Sequence, residues 1–428
     1  MEQQVPVGYK PTEVGIVPVD WDVLEIQDFS KTGSGTTPAR AQENRYFKGG
    51  ETYWVKTTDL NNSVIRITED KVTDLALKET CLQVYPIGTV LVAMYGGFNQ
   101  IGRTGILSIP AAVNQALVAV QVNKKIDSRY LLNTLNYKVE YWKSVASSSR
   151  KDPNITSLDV KRFKVALPPT KEEQTAIANA LSDVDTLITS LEKLISKKRA
   201  IKTAAIQQLL AGKKRLPPFD LAHTGYKQTE LGEIPKDWEL VQLGMVLDKI
   251  IGGGTPSRAN SSYWSGNIPW VTVKDFATFN PTTSQEYITK LGLENSSSNL
   301  IPEGVLIIST RMALGKAVIY NVPVTINQDL KALFPRKIVD TKFLYYWFED
   351  NVVQIDDLGS GSTVKGLSLL DLKALKFRLP SKHEQIAIAN VLSDMDKEID
   401  TLEQRINKTQ QLKQGMTQEL LTGRTRLI

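Results

Sequence analysis

The chain has 428 residues, of which 41% are hydrophobic and 23% charged, and its 52 lysines and arginines exceed 46 acidic residues to give a formal net charge of +6. This composition is typical of a globular protein with two or more domains. One cysteine, Cys81, excludes an intramolecular disulfide, and with only His223 and His383 beside it no zinc site is expected. The mild basic excess permits nucleic-acid binding without demonstrating it.

The first ten residues, MEQQVPVGYK, lack the apolar stretch of a secretion signal, and no apolar run approaches the length of a membrane span. We therefore expect a cytoplasmic protein without membrane contact.

The sequence contains an internal repeat, in which the second half of the chain resembles the first. Residues 9–21, YKPTEVGIVPVDW, match residues 226–238, YKQTELGEIPKDW, at an offset of 217. Shorter matches follow in the same order, with an offset that falls to 211 by the end of each copy. They pair residues 35–38 with 254–256, 46–49 with 263–266, 54–59 with 270–275, and 114–117 with 327–330. The turn GTTP of the first copy thus looks one residue longer than the GTP of the second.

Between these matches each half consists of short β-rich segments separated by glycine and proline. Strands are predicted at residues 90–94, 117–122, 268–273, 305–309 and 317–320. One amphipathic helix per half is predicted at residues 128–144 and 341–355. Alternating apolar residues at 163–167 and 375–379 then predict a strand that leads directly into a long helix.

The long helix is the most closely repeated element. Residues 173–185 and 384–396 are identical at ten of thirteen positions. Thr170 with Glu173, and Ser381 with Glu384, have the spacing of capping boxes, in which the glutamate would reach back to the cap. Gly212 and Gly423 suit left-handed C-terminal caps. At 1.5 Å per residue, roughly 40 residues give a rod of roughly 60 Å.

Apolar residues recur along both helices at coiled-coil spacing. We expect this seam to pair the two copies, the first series lying against the second. Its members are Ile177, Leu181, Val184, Ile188, Leu191 and Ile195, and Ile388, Leu392, Met395, Ile399, Leu402 and Ile406. Leu187, Leu194 and Ile201 fall off the seam and are candidates for a partner interface. Two ordinary helices buried in separate domains are the alternative.

The predicted fold class is α+β, with two homologous strand-rich domains separated by two long antiparallel coiled-coil helices in a pseudo-two-fold arrangement. The expected boundaries are 1–168 and 226–380 for the strand-rich domains, 169–212 and 381–428 for the helices, and 213–225 for a linker rich in basic residues and proline.

Catalytic motifs are missing from the sequence. It has no phosphate loop, no dinucleotide-binding glycine motif and no adenine-N6 methyltransferase motif. Asp59 with Glu69 and Lys71 superficially resembles a nuclease site, but the second copy aligns Asp275 without a matching partner, so loop charges explain the pattern better. His223 and His383 are interpreted as solvated or capping residues, and Cys81 as a small core side chain. We predict no catalytic residue and no metal ligand.

Polar residues on predicted loops remain as candidates for binding DNA. Arginine suits the O6 and N7 edge of guanine, asparagine and glutamine suit adenine, and lysine suits phosphates. A merely solvated surface charge is the alternative at each single position. The candidates are Lys56, Asn99, Gln100, Arg103, Arg150, Lys151, Lys274, Arg311, Lys316 and Lys365.

Taken together, the repeated heads, the Gly-Thr-Pro turns, the capped Glu-Gln-x-x-Ile-Ala helices and the endings QQLLxGKKRL and QELLxGRxRL resemble the specificity subunits of bacterial type I restriction-modification systems. The resemblance covers essentially the whole chain. It implies that the strand-rich domains are target-recognition domains and that each reads one half of a split, asymmetric target in double-stranded DNA.

The resemblance further implies a protein with no active site, whose helices set the spacing and dock two methyltransferase subunits, through which restriction subunits join. No cofactor would bind this chain, while S-adenosylmethionine, Mg²⁺ and ATP belong to the partner subunits. A coiled-coil scaffold without DNA contact and a stand-alone DNA-modifying enzyme are the competing interpretations.

Overall fold

The computed structural model describes residues 5–96, 99–146, 154–220, 225–359 and 366–427. The chain divides into two compact units, the first made of Met1–Glu192 with Gln404–Ile428 and the second of Lys193–Glu403. Each unit thus contains one strand-rich segment, the first half of the long helix that follows it, and the second half of the other long helix. The predicted α+β class, with two similar strand-rich domains and two long helices, is confirmed.

The strand-rich segment of the first unit contains short strands and helices that lead into the first long helix. Its strands are β1 (Tyr9–Thr12), β2 (Gly15–Pro18), β3 (Asp22–Glu25), β4 (Ser30–Ser34), β5 (Thr52–Val55), β6 (Ser63–Ile65), β7 (Asp70–Val72), β8 (Val84–Tyr85), β9 (Val90–Ala93), β10 (Thr104–Leu107), β11 (Ala111–Val113), β12 (Leu117–Val122) and β13 (Lys164–Leu167). Its helices are α1 (Ile26–Phe29), α2 (Glu43–Tyr46), α3 (Asp74–Glu79), α4 (Ser128–Tyr137), α5 (Val139–Val145), α6 (Ser157–Lys161) and α7 (Lys171–Leu210).

The second unit repeats this order. Its strands are β14 (Tyr226–Thr229), β15 (Gly232–Pro235), β16 (Glu239–Gln242), β17 (Leu247–Gly252), β18 (Trp264–Val271), β19 (Glu286–Ile288), β20 (Leu300–Ile301), β21 (Leu306–Ser309), β22 (Ala317–Ile319), β23 (Val324–Ile326), β24 (Leu330–Pro335) and β25 (Lys376–Leu379). Its helices are α8 (Leu243–Val246), α9 (Lys290–Glu294), α10 (Thr341–Asp357), α11 (Leu369–Ala374) and α12 (Lys382–Leu421).

Two sheets form the body of each unit, and their strand orders correspond. The sheet called the larger one here has five strands in the first unit, in the order β4-β12-β9-β10-β6, and its counterpart in the second unit has four, in the order β17-β24-β21-β22. The smaller sheet is ordered β7-β5-β11-β8 and β19-β18-β23-β20, with one parallel pair, β5 with β11 and β18 with β23. The strand that leads into each long helix, β13 or β25, pairs with β3 or β16.

The central strand of each larger sheet is apolar on both faces because both faces are covered. Val90 and Val92 pack into the core that includes the long helices, whereas Leu91 and Ala93 pack into the core against the smaller sheet. In the second unit Leu306 and Ile308 face the helices and Ile307 faces the smaller sheet. The period of two in a strand thus turns one apolar run into the centre of two cores.

Within each unit the start of one long helix packs with the end of the other. Ile177 and Leu181 share the core of the first unit with Leu420 and Leu421. Ile388 and Leu392 share the core of the second unit with Ile206, Leu209 and Leu210. An ion pair joins the two helices at corresponding positions of each unit. Lys413 pairs with Asp185 in the first unit, and Lys202 pairs with Asp396 in the second.

This pairing corrects the predicted seam. The series from Ile177 and the series from Ile388 were expected to lie against each other, but within each unit the start of one long helix packs with the end of the other. Most members of the seam are buried, while Val184, Ile188, Met395, Leu402 and Ile406 are only partly buried. The last apolar residues of each helix, which the prediction omitted, complete the cores.

Three local predictions are wrong. The helix expected at residues 128–144 is broken between Tyr137 and Val139 into α4 and α5. Cys81 is exposed and has a positive φ of 53°, because it lies in the turn that follows α3 rather than in the core. The strand expected from residue 268 already begins at Trp264. Within the described part of the chain, no helix combines the length and apolarity that a membrane crossing needs.

Candidate nucleic-acid interface and helix-end clamps

A group of loops in the first unit is tied together by backbone hydrogen bonds. Asn114 donates from its N–H to the carbonyl of Val55 at 2.9 Å, and Met94 donates to Ala116 at 2.8 Å. Thr36 donates to Val113 at 3.2 Å, and Ile155 donates to Met94 at 3.1 Å. We call this group, residues 35–38, 56–59, 94–96, 99–103 and 114–116, the first loop cluster.

The second unit has a hydrogen bond to match each of these four. Asn327 donates to Val271 at 3.0 Å and Thr310 to Asp329 at 2.9 Å. Gly254 donates to Ile326 at 3.0 Å, and Leu367 donates to Thr310 at 2.9 Å. Residues 253–256, 272–276, 310–316 and 327–329 are the second loop cluster. The two units therefore place loops of different sequence on one scaffold.

The matching bonds also correct the alignment of the Gly-Thr-Pro turns. A Cβ on Gly35 would lie 1.6 Å from the Val113 carbonyl oxygen, and one on Gly253 would lie 1.8 Å from that of Ile326. Gly35 therefore corresponds to Gly253, and the two turns have equal length. The first turn looked longer only because Gly254 had been aligned with Gly35.

The carboxylates that resembled part of a nuclease site are caps of turns. Asp59 accepts from the N–H of Lys56 at 2.7 Å and from that of Glu69 at 3.4 Å. Asp275 accepts in the same way from Thr272 at 2.8 Å and Gln285 at 2.7 Å. Both carboxylates hold the turn after the strand rather than face an open site, as expected for loop charges.

Among the DNA-binding candidates that the structure describes, Lys56 is the one whose ammonium group pairs with two carboxylates. Its Nζ lies 2.9 Å from an oxygen of Glu69 and 2.9 Å from one of Asp70. Partial burial lowers the pKa of Lys56, but the hydrogen bonds to both carboxylates outweigh it and hold the pKa above its ordinary value. A phosphate would have to displace these two partners.

Most of the other candidates lie in the two loop clusters. Asn99 is exposed, Gln100 and Arg103 are partly buried, and Lys274, Arg311 and Lys316 are exposed. Ala93 donates to the carbonyl of Arg103 and Ser309 to that of Lys316, each at 2.9 Å, so these two cations occupy equivalent positions. Arg150, Lys151 and Lys365, like His223, lie outside the described residues.

Each unit also has an arginine near its loop cluster that stacks on an aromatic ring and pairs with a carboxylate, which was not predicted from the sequence. The Arg40 guanidinium lies 4.2 Å from the Phe47 ring centroid and pairs with Asp70. In the second unit the Arg258 guanidinium lies 3.7 Å from the Trp264 ring centroid and forms two hydrogen bonds to Glu286 at 2.5 and 2.8 Å. The signal was present in the repeat, since each arginine follows the turn proline by two residues.

A second repeated device, which we call the helix-end clamp, holds the end of each long helix. Arg215, which follows α7, donates to Glu384 at 2.8 and 2.7 Å and to Asp237 at 3.0 and 2.7 Å. The hydrogen bond to Glu384 is the main reason that the pKa of Arg215 lies above its ordinary value. The side chains of Arg215 and Glu384 are 2% and 1% exposed.

Arg426, which follows α12, forms the corresponding clamp in the first unit with Glu173 and Asp20. Its Nη2 donates to Glu173 at 2.8 Å and to Asp20 at 3.1 Å. This clamp is more open, since the Arg426 side chain is 29% exposed.

The clamps change the interpretation of the helix starts. Thr170 and Ser381 do accept the N–H of Glu173 and Glu384, at 3.2 and 3.3 Å. The two glutamates, however, direct their carboxylates to the arginines and not back to the cap. An ionised bidentate partner outcompetes a single backbone N–H, so only half of each predicted capping box forms.

The repeated heads serve the same clamps. Tyr9 and Tyr226 donate from their hydroxyls to the carbonyls of Gly423 and Gly212, at 3.1 and 3.2 Å. Both glycines have φ of +68°, as predicted for left-handed caps. In each unit, the repeated segment that begins with Tyr9 or Tyr226 therefore contacts the glycine that ends a long helix.

The proposed partner-interface residues lie on the surface of α7. Leu187, Leu194 and Ile201 are 40%, 38% and 44% exposed. One repeat further along the chain, α12 carries Glu398, Arg405 and Leu412. The apolar stripe therefore belongs mainly to the first helix.

Comparison with known proteins identifies the class. The family model for the type I restriction modification DNA specificity domain matches residues 18–201 and again residues 235–412. The chain therefore belongs to the family of type I restriction-modification specificity subunits, which recognise DNA sequence.

One relative matches almost the whole chain, and another matches part of it. The chain is 28% identical over 432 residues to the putative type I restriction enzyme MjaX specificity subunit of Methanocaldococcus jannaschii, covering 98% of this chain and 97% of that protein. It is 26% identical over 276 residues to the EcoR124I/EcoR124II specificity subunit of Escherichia coli, covering 61% of this chain and 64% of that one. A crystal structure of a type I S subunit from M. genitalium shares the fold, with a TM-score of 0.59 at 16% identity over 94% of this chain and 96% of that one.

Proposed function

We propose that this chain is the non-catalytic recognition subunit of a type I restriction-modification complex and that each loop cluster reads one half of a split DNA target. The observation that carries the proposal is the pair of loop clusters. Each cluster has four backbone hydrogen bonds at corresponding positions, but the two clusters present different side chains. A common scaffold with different polar loops suits two half-sites of different sequence.

In this role, the candidates divide by chemistry. Asn99, Gln100 and Arg103 in the first cluster and Arg311 in the second would contact base edges, while Lys274 and Lys316 suit phosphates. Arg150, Lys151 and Lys365 are proposed on sequence grounds as further contacts. Lys56 is the weakest candidate, because Glu69 and Asp70 already neutralise it.

The two long helices would fix the distance between the half-sites. Each has 40 residues, or roughly 60 Å at 1.5 Å per residue. One turn of duplex DNA rises roughly 34 Å, so a rod of this length suits half-sites more than one turn apart.

We further propose that the helices dock two adenine-N6 methyltransferase subunits and that restriction subunits join through these. Leu187, Leu194 and Ile201 support the docking, since single-file exposed apolar residues on a helix suit a partner helix or groove. S-adenosylmethionine, Mg²⁺ and ATP would bind to the partner subunits and not to this chain.

Shortening the rod tests the spacing role. Deletion of residues 190–196 together with 401–407, one heptad from the middle of each helix, removes roughly 10 Å. Sequencing for methyladenine in cells that express the complex should give the same two half-sites with a gap shorter by about three base pairs, at 3.4 Å per base pair.

Deletion of residues 190–196 alone is the matched control. It leaves two helices of unequal length, so the clamps and the coiled-coil seam cannot both form, and methylation should be lost. An unchanged gap after the double deletion would contradict the spacing role of the long helices. A target that is not split in the unaltered protein would contradict the proposed function.

A further inference from the structure

We propose that Arg311 specifies a guanine in the half-site of the second unit and that Asp329 is the positioning residue that aims it. The inference rests on the proposed function and deepens it by assigning one base to one side chain. It comes from the buried carboxylate of Asp329, a position at which the first unit has Ala116.

Asp329 is an acidic residue fixed from several sides. It is 8% exposed overall, and its Oδ2 accepts from the Asn327 side-chain amide at 3.0 Å. Its own N–H donates to Asn327 Oδ1 at 3.1 Å, and its carbonyl accepts from the hydroxyl of Thr310 at 3.0 Å. The carboxylate therefore has little freedom to move.

The other oxygen, Oδ1, faces the guanidinium of Arg311, with Nη1 at 3.4 Å. The Arg311 side chain is 53% exposed, in contrast to 12% for that of Asp329. The arginine therefore extends outward from a buried anion. Within the described part of the chain, the Nε and Nη2 edge of Arg311 has no hydrogen-bond partner.

The backbone of Arg311 is also held. Its carbonyl accepts from the Ser309 hydroxyl at 2.6 Å, and Arg311 forms an antiparallel bridge with Gly366. Met312, the next residue, has a left-handed φ of 65°. Side chain and backbone are thus positioned before any ligand arrives.

This arrangement suits a base rather than a phosphate. An unoccupied Nε and Nη2 edge is the bidentate donor that matches the O6 and N7 acceptors of guanine in the major groove. A phosphate can also accept two hydrogen bonds from an arginine, but the buried carboxylate of Asp329 offsets part of the positive charge that attracts a phosphate. Pre-organised side chains are also what discrimination between bases requires.

The first unit presents different chemistry at the same place. The matching hydrogen bonds put Tyr95 at the position of Arg311 and Ala116 at the position of Asp329. Its longer loop carries Asn99, Gln100 and Arg103, and this arginine corresponds to Lys316 rather than to Arg311. We therefore expect the arginine-dependent guanine to appear in the second half-site alone.

The test uses the complete complex with its methyltransferase subunits, selected against a DNA library in which every position of both half-sites is randomised. The variants are Arg311→Lys, which keeps the charge and loses the bidentate edge, Arg311→Ala and Asp329→Asn. A bidentate contact gives a preference for the correct base of roughly 5- to 150-fold. Both Arg311 variants should reduce the guanine preference at one position of the second half-site to below about threefold.

Asp329→Asn should give an intermediate preference at the same position, with the first half-site unchanged. Lys316→Ala, in the same loop, is the matched control and should weaken binding to all sequences evenly. Hydrogen exchange on β21 and β24 shows whether a variant keeps the fold of the second unit.

A guanine preference that survives Arg311→Lys would overturn the base assignment, and one that is unaffected by Asp329→Asn would overturn the positioning role. If the unaltered complex selects a split target and no position responds to Arg311, the inference fails while the proposed function stands. If the unaltered complex selects no sequence, the proposed function itself fails.

Discussion

The helix-end clamps and the loop clusters are both repeated in the two units, but they differ in what is repeated. In the clamps the same side chains recur, with Arg215, Asp237 and Glu384 in one unit matched by Arg426, Asp20 and Glu173 in the other. In the loop clusters the backbone hydrogen bonds recur while the side chains differ. The clamps therefore have a task common to both units, and the clusters have tasks particular to each.

The clamps themselves are not equal. The arginine of the second unit is almost fully buried and its glutamate also accepts from the Trp238 indole N–H at 2.9 Å. In the first unit Arg426 is more exposed, and the buried Trp21 Nε1 has no partner among the described residues. The second clamp should therefore contribute more to stability, and the following variants test this.

Arg215→Ala should have the largest effect. It leaves Glu384 buried without its cation, and breaking a buried ion pair in this way costs about 3–5 kcal/mol. Arg426→Ala should cost less, because water can reach the vacated site. Native-state hydrogen exchange, followed separately in residues 225–359 and in residues 5–146, measures each unit. Equal losses for the two variants would contradict the difference in burial.

Gly423→Ala should come next, with a loss of about 2 kcal/mol or more. The residue would have to adopt φ of +68°, and its Cβ would lie 2.5 Å from Pro18 Cγ. Gly415→Ala in the same helix is the control, since nothing lies within 4 Å of its Cβ. That change should stabilise the helix by about 0.5–1 kcal/mol. Thermal unfolding of both variants checks the opposite signs.

The smallest effect is expected for the difference between two tryptophan variants. Trp238→Phe should lower the free energy of unfolding by about 1–2 kcal/mol more than Trp21→Phe does. Both changes remove similar apolar area, but only Trp238 donates a hydrogen bond to the clamp glutamate. The difference between the two variants in urea unfolding isolates that bond. A larger loss for Trp21→Phe would contradict a stabilising contribution from the hydrogen bond between Trp238 and Glu384.

Local patterns in the sequence predicted much of the fold. The two long helices, their glycine caps and the central strands at Val90–Ala93 and Leu306–Ser309 follow from apolar periodicity and turn residues, and the structure has them close to the expected bounds. The repeat also revealed two similar units. These features depend on residues near one another in the chain.

The misses concern contacts between distant residues. Glu173 was assigned to its own helix cap because a cap lies three residues away, whereas its partner Arg426 lies 253 residues away. The seam was ended at Ile195 and Ile406, because the heptads are clearest up to there, and so omitted the residues near the helix ends that complete the cores. Asp329 was overlooked because its role depends on Arg311 and Asn327, which come together only when β21 lies beside β24.

We propose that each strand-rich segment reads its own half of the target. The most direct measurement replaces residues 9–168 with residues 226–380, so that both positions carry the second segment, and maps methyladenine in cells that express the complex. We expect both half-sites to acquire the sequence formerly read by the second unit, including its guanine. A target that keeps one original first half-site would contradict it.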